Sequence, residues 1–119
     1  MMIYLSGHLD GNWQEKVKRR IIDAKFFDPR EVESNDPEIY TYEELDAIYE
    51  SDIIFAYLSK ENPSGIGLAL EVGYGRSENC YIILVKEKKS KKWDIVEACA
   101  DQVFDNLDDG IDYLQRFIM

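Results

Sequence analysis

The sequence predicts an α/β fold, a single domain over residues 1–119 in which a parallel sheet lies between two layers of helices. Three observations predict it. Short apolar runs alternate with amphipathic stretches about five times along the chain. The run Ile53 to Leu58 is apolar without a break, as in a strand covered on both faces. The chain has 119 residues, 45% hydrophobic and 32% charged, enough for one core without disulfides or metals.

The elements follow in order. Ile3-Tyr4-Leu5 is a short first strand. Asn12 to Ala24 places Trp13, Val17, Ile21 and Ala24 at helical spacing between charges. Lys25 to Asp28 is a second strand, stopped by Pro29. Pro29 to Thr41 is a polar connection of thirteen residues with two prolines, long enough to be a binding loop or lid, or else disordered. Tyr42 to Glu50 reads as a helix, with Thr41 as N-cap and Glu44 three residues later, as in a capping box. Ile53 to Leu58 is the third strand, Gly65 to Ser77 a helix and Cys80 to Val85 the fourth strand. Trp93 to Ala100 is helical, Gln102 to Phe104 is the last strand, and Leu107 to Phe117 closes as a helix. Such a β-α alternation favours a flavodoxin-like three-layer fold of five parallel strands in the order 2-1-3-4-5.

Charge and composition exclude several functions. Fourteen basic against twenty-four acidic residues leave a net charge of −10, which argues against nucleic-acid polymers and anionic membranes as partners. No run is long and apolar enough for a membrane span. The N-terminal residues lack a signal-peptide pattern, and Cys80 and Cys99 belong to no motif. A cytoplasmic protein with reduced, buried cysteines is therefore expected. With one histidine, His8, no metal site is expected. Lys86 to Lys92 holds five basic residues and reads as a solvated loop.

In an open parallel sheet, ligands bind beyond the carboxyl ends of the strands, where the strand order reverses. That edge receives Ser6-Gly7-His8 after the first strand, the Pro29–Glu44 connection after the second, and Ser59 to Gly67 after the third. Asp52 precedes the third strand and belongs at the opposite edge as a cap or turn residue. In the helix after Gly65, Gly67, Glu71 and Gly75 stand one turn apart on one face. Each glycine inside a helix costs about 1 kcal/mol relative to alanine. Close packing on the sheet would explain the glycines but not Glu71; a ligand lying across the stripe explains both. Amides at Ser64 to Gly67 could bind an anion or sugar hydroxyls. Tyr4, on the first strand beside the third, is close enough for its hydroxyl to reach the same cleft.

Ile3-Tyr4-Leu5-Ser6-Gly7, Glu44-Leu45, Ser51-Asp52-Ile53-Ile54, and Asn62-Pro63-Ser64-Gly65 leading into Leu70-Glu71-Val72-Gly73-Tyr74 together resemble the nucleoside 2-deoxyribosyltransferase superfamily, including its nucleotide N-glycosidase branch. The Glu-x-Gly-Tyr helix is the specific part. The resemblance implies a flavodoxin-like fold and cleavage of an N-glycosidic bond. Glu71 would attack the anomeric carbon to form a glycosyl-enzyme, which a second base or water would resolve. Tyr4 would orient the nucleophile. Glu44, where the family usually has Asp, would act on the departing base or hold the substrate. Gly7, His8, Ser64, Gly65 and Gly67 would contact a small-molecule nucleoside or nucleotide substrate. No cofactor is implied, and a homo-oligomer is.

His8 and Asp10 stand where the nucleotide-cleaving branch tends to carry a hydroxyl and a basic residue. Asp10 would repel a 5′-phosphate, which favours a nucleoside. The polar C-terminal residue that the transferase branch lends to a neighbouring subunit has no match in Tyr113 to Met119, so bond cleavage is more secure than transfer. A non-catalytic module binding a nucleotide or nucleoside in the same cleft is the alternative. A receiver domain on this fold is disfavoured, because the third strand ends in Tyr57-Leu58-Ser59 without the acceptor Asp.

Overall fold

The computed structural model describes residues 1–119. Strands β1 (Met2–Gly7), β2 (Lys25–Phe27), β3 (Ile53–Leu58), β4 (Tyr81–Lys86) and β5 (Gln102–Phe104) form one parallel sheet in the order 2-1-3-4-5. Helices α1 (Trp13–Arg20), α2 (Pro37–Glu50), α3 (Ile66–Ser77), α4 (Asp94–Ala98) and α5 (Leu107–Ile118) connect or follow them. Class, strand direction and strand order agree with the alternating pattern of the sequence.

Side chains of a strand alternate between faces, and this divides the core in two. Tyr4, Ile54, Ala56, Leu58, Ile82 and Leu84 pack with Ala47 and Ile48 of α2, Leu68 and Val72 of α3, and Val96 of α4. Ile3, Leu5, Ile53, Phe55, Ile83 and Val85 pack with Trp13 and Val17 of α1 and with Ile111 and Leu114 of α5. The unbroken apolar run of β3 has this cause: both of its faces are covered. At the amino end of the sheet, Asp52 ties β3 to β1. Its Oδ2 accepts the Met2 amide at 2.9 Å, and its own amide donates to the Met2 carbonyl at 2.9 Å.

Several boundaries differ from those the sequence suggests. α1 ends at Arg20 rather than Ala24, because Lys25 must already pair with Met2 in the sheet. α2 begins at Pro37, not Tyr42. Asp36 caps it by accepting the Glu38 amide at 3.0 Å, and the fixed φ of Pro37 suits the first helical position. Thr41 and Glu44 lie inside the helix, so the expected capping box does not form. The long polar connection is correspondingly short: a 3-10 turn at Pro29–Glu31, then five residues up to the cap. The segment before α4 is a separate 3-10 turn, Lys91–Trp93. Lys86 belongs to β4 and pairs with Glu97 at 2.8 Å, Lys88 is half-buried, and Lys89, Lys91 and Lys92 are exposed. Cys80 is buried and Cys99 half-buried, both as free thiols.

Candidate active site

The connections that follow β1 and β3 leave the sheet toward opposite faces, which opens a crevice at its carboxyl edge. Tyr4 and Ser6 are two residues apart on β1, so both project to the face that α3 crosses. From α3, Glu71 reaches in between them and is only 7% exposed. The Tyr4 hydroxyl donates to Glu71 Oε2 at 2.6 Å, and the Ser6 hydroxyl donates to Oε1 at 2.6 Å. Tyr4 is aimed by its ring, which stacks on Phe27 with centroids 5.3 Å apart and planes 8° from parallel. Glu44 of α2 brings a second, half-buried carboxyl to the same place.

These surroundings decide the charge state. Burial pushes the Glu71 carboxyl up, and the adjacent Glu44 pushes it further. The Ser6 and Tyr4 hydroxyls pull it back, and the result is about 8. Burial and the charge of Glu71 hold the Tyr4 hydroxyl far above the usual phenol range, so it remains a donor.

A cavity of about 460 Å³ opens onto Glu71 and Glu44, within the size range of small-molecule sites. Gly67 forms part of its wall, with nothing within 4 Å of where a Cβ would stand. Gly75 differs: a Cβ there would overlap the Ile54 side chain. The glycine stripe thus has two causes, close packing on the sheet at Gly75 and open space beside the carboxylate at Gly67.

Four wall residues carry no motif in the sequence: Arg30, Ser34, Asn35 and Tyr40. Tyr40 precedes Glu44 by one turn of α2, a signal visible only once the helix is known to begin at Pro37. Arg30 is locked in place. Its Nε lies 3.0 Å from Asp28 Oδ2, and its Nη2 lies 2.6 Å from Glu15 Oε1. Lys18 Nζ adds a contact to Asp28 Oδ2 at 2.9 Å. Burial alone would raise the Asp28 carboxyl, but the Arg30 and Lys18 bonds outweigh it and hold Asp28 below the ordinary range. The brace fixes the 3-10 turn against the cavity.

The other residues expected at the site lie elsewhere. A Cβ on Gly7 would stand 2.6 Å from the Tyr57 carbonyl, so this glycine serves the approach of β1 to β3. His8 faces a separate cavity of about 470 Å³ with Trp13, Tyr57 and Glu87. The Ser64 amide donates to Asn62 Oδ1 at 3.1 Å and the Ile66 amide to Ser64 Oγ at 3.2 Å, so neither is free for a ligand. Gly65 is buried beneath the Trp93 ring. Glu71, Tyr4, Glu44 and Gly67 come together; Gly7, His8, Ser64 and Gly65 do not line their cavity.

Chemically, a carboxylate with both oxygens held, a second carboxyl alongside and a small-molecule cavity in front can form and break a bond to an electrophilic carbon. No protein-family model matches the chain, and no curated protein matches it by sequence. Solved structures do match. The 2-deoxyribosyltransferase of Bacillus psychrosaccharolyticus is 21% identical, with a TM-score of 0.73 over 92% of this chain and 89% of the other. The 2-deoxyribosyltransferase of Leishmania mexicana is 16% identical, with a TM-score of 0.76 over 99% of both chains. The CMP N-glycosidase BcmB of Clostridium botulinum is 16% identical, with a TM-score of 0.64 over 100% of both. Along essentially its whole length, the chain has the fold of two deoxyribosyltransferases and of an N-glycosidase.

Proposed function

We propose that the protein breaks the N-glycosidic bond of a nucleoside, with Glu71 as the nucleophile. The observation that carries this is the buried Glu71 carboxyl, gripped at both oxygens and facing a cavity beside a second carboxyl. The names of the structural neighbours, two deoxyribosyltransferases and a CMP N-glycosidase, support the same bond as target.

The proton of the hydrogen-bonded Glu71–Glu44 pair passes to Glu44, and the ionised Glu71 oxygen attacks the anomeric carbon of the sugar. As that C–O bond forms, the C–N bond breaks, and its electron pair leaves on the base. Glu44 donates a proton to the departing base, which leaves neutral. A second base or a water then attacks the same carbon, Glu71 leaves as carboxylate, and the proton of the attacking group passes to Glu44. One hard displacement becomes two easier ones. Tyr4 orients the nucleophile before the attack.

The cavity also bears on the substrate. Arg30 is the one basic residue in its wall, and Asp28 and Glu15 already neutralise it. With Glu71 and Glu44 alongside, a 5′-phosphate would meet net negative charge. An uncharged nucleoside fits better than its monophosphate. The same proposal carries a homo-oligomer, read directly by sedimentation equilibrium.

The test is incubation with a panel of nucleosides and 5′-monophosphates, with and without an acceptor base, following free base by chromatography and the sugar adduct by intact mass. Nucleosides release base, and the adduct maps to Glu71. No base release across the panel would overturn the proposal. Two variants refine it. Tyr4→Phe keeps the ring stack but deletes a bond to a charged group, so kcat falls about 10- to 100-fold with the melting profile nearly unchanged. Glu44→Gln replaces the carboxyl whose hydrogen bond and charge raise Glu71, so the acid limb of the residual kcat/KM moves to lower pH. An acid limb that stayed in place or moved upward would contradict the coupling.

A further inference from the structure

We propose that Ser6 is a positioning residue, whose hydroxyl on Glu71 Oε1 works with the Tyr4 hydroxyl on Oε2 to fix the plane of the carboxylate and keep it ready to attack. The inference rests on the proposed role of Glu71. Ser6 is fully buried near the carboxyl end of β1, and the hydrogen bond is short at 2.6 Å. A hydroxyl buried in the apolar layer between sheet and helices needs a partner, and here that partner is the nucleophile itself.

The geometry has a consequence for both half-reactions. Whichever oxygen of Glu71 bonds to the sugar carbon, the other keeps a hydroxyl donor. When Oε2 forms the ester, Ser6 remains on the carbonyl oxygen Oε1. It polarises the ester and stabilises the carboxylate that departs in the second displacement. When Oε1 forms the ester, Tyr4 has that task. No proton need move between Ser6 and Glu71 in either case. A single hydroxyl could serve only one of the two outcomes.

Ser6 also counterbalances a neighbour. The titratable groups around Glu71 are Tyr4 from β1, Glu44 from α2 and, on the cavity wall, Tyr40 of α2 and Arg30, whose charge Asp28 and Glu15 offset. Glu44 disfavours the ionised form, whereas the Ser6 and Tyr4 donors favour it. Removing Ser6 and removing the Glu44 charge therefore push Glu71 in opposite directions.

The experiment compares Ser6→Ala, Ser6→Thr, Glu44→Gln and Ser6→Ala/Glu44→Gln. The Glu71 carboxyl is titrated directly by carbon-13 NMR, and pH profiles of base release are recorded beside it. Ser6→Ala raises the Glu71 titration midpoint by about one pH unit, Glu44→Gln lowers it, and the double variant lies between them. Ser6→Ala lowers kcat about tenfold with little change in KM, and Ser6→Thr, which keeps the hydroxyl, restores both readouts. A midpoint unmoved in Ser6→Ala, or a threonine variant indistinguishable from the alanine one, would overturn the assignment. The NMR midpoint needs no turnover. If it moves as expected and no nucleoside is cleaved, the positioning of Glu71 stands and the N-glycosidic reading falls.

Discussion

Glu71→Gln loses at least about 1000-fold in kcat/KM for base release, because an amide cannot form the glycosyl-enzyme. Its fold persists: glutamine has the same shape, and the Tyr4 and Ser6 hydroxyls can accept from an amide as readily as donate to it. Stability separates the variant from wild type in a pH-dependent way. In the native protein Glu71 holds its proton up to about 8, against an ordinary value of 4.5. A raised folded-state value stabilises fully below pH 4.5, and that contribution is lost as pH rises through about 8. Glutamine has no proton to lose. The difference in Tm between variant and wild type therefore grows in favour of the variant from pH 5 to pH 9, read by thermal melts at matched ionic strength. A difference independent of pH, or base release undiminished in the variant, would remove Glu71 from its role.

The second large effect concerns the turn that launches α3. Gly65 caps α3 with φ +81°, in the left-handed region that side chains rarely adopt. A Cβ there would overlap the Trp93 ring and stand 3.1 Å from Leu58 Cδ1. Backbone strain of about 1–2 kcal/mol and overpacking of about 1–3 kcal/mol both fall on Gly65→Ala. The expected loss is about 2–5 kcal/mol, a drop in Tm on the order of 10 °C. Gly67→Ala is the control two residues on. With open space around it, its stability is unchanged or improved, but the methyl enters the cavity beside Glu71, and KM is expected to rise. Denaturant unfolding beside steady-state kinetics distinguishes them, and equal destabilisation by the two would refute this division of labour.

Much of the fold is legible in the sequence because hydrophobic periodicity reports burial, and burial here is simple: central strands covered on both sides, helices on one. Glu71 was legible for a related reason, since its glycine neighbours are costly in a helix. What escaped depends on local polar chemistry or on contacts distant in sequence. The start of α2 rests on Asp36 and Pro37, which look like loop residues until the cap bond is seen. The Asp28–Arg30 brace draws in Lys18 and Glu15 from α1, and no periodicity marks that meeting. Ser6 falls at the ligand-binding edge after the first strand, but its bond to a carboxyl appears only when α3 lays Glu71 over it. Gly7, His8, Ser64 and Gly65 were placed by loop proximity to the carboxyl edge, but the loops turn those residues into packing or toward another cavity.

The paired bonds between Asp52 and Met2 acquire a larger meaning in this light. Were β1 to slide by one residue against its neighbour, its two faces would exchange. Ile3 and Leu5 would then confront Glu71 with hydrocarbon, and the two hydroxyls would be stranded behind the sheet. A carboxyl at the amino rim of the sheet thereby safeguards the alignment of Tyr4 and Ser6 on Glu71, and β1 acts as a key that operates in one notch alone.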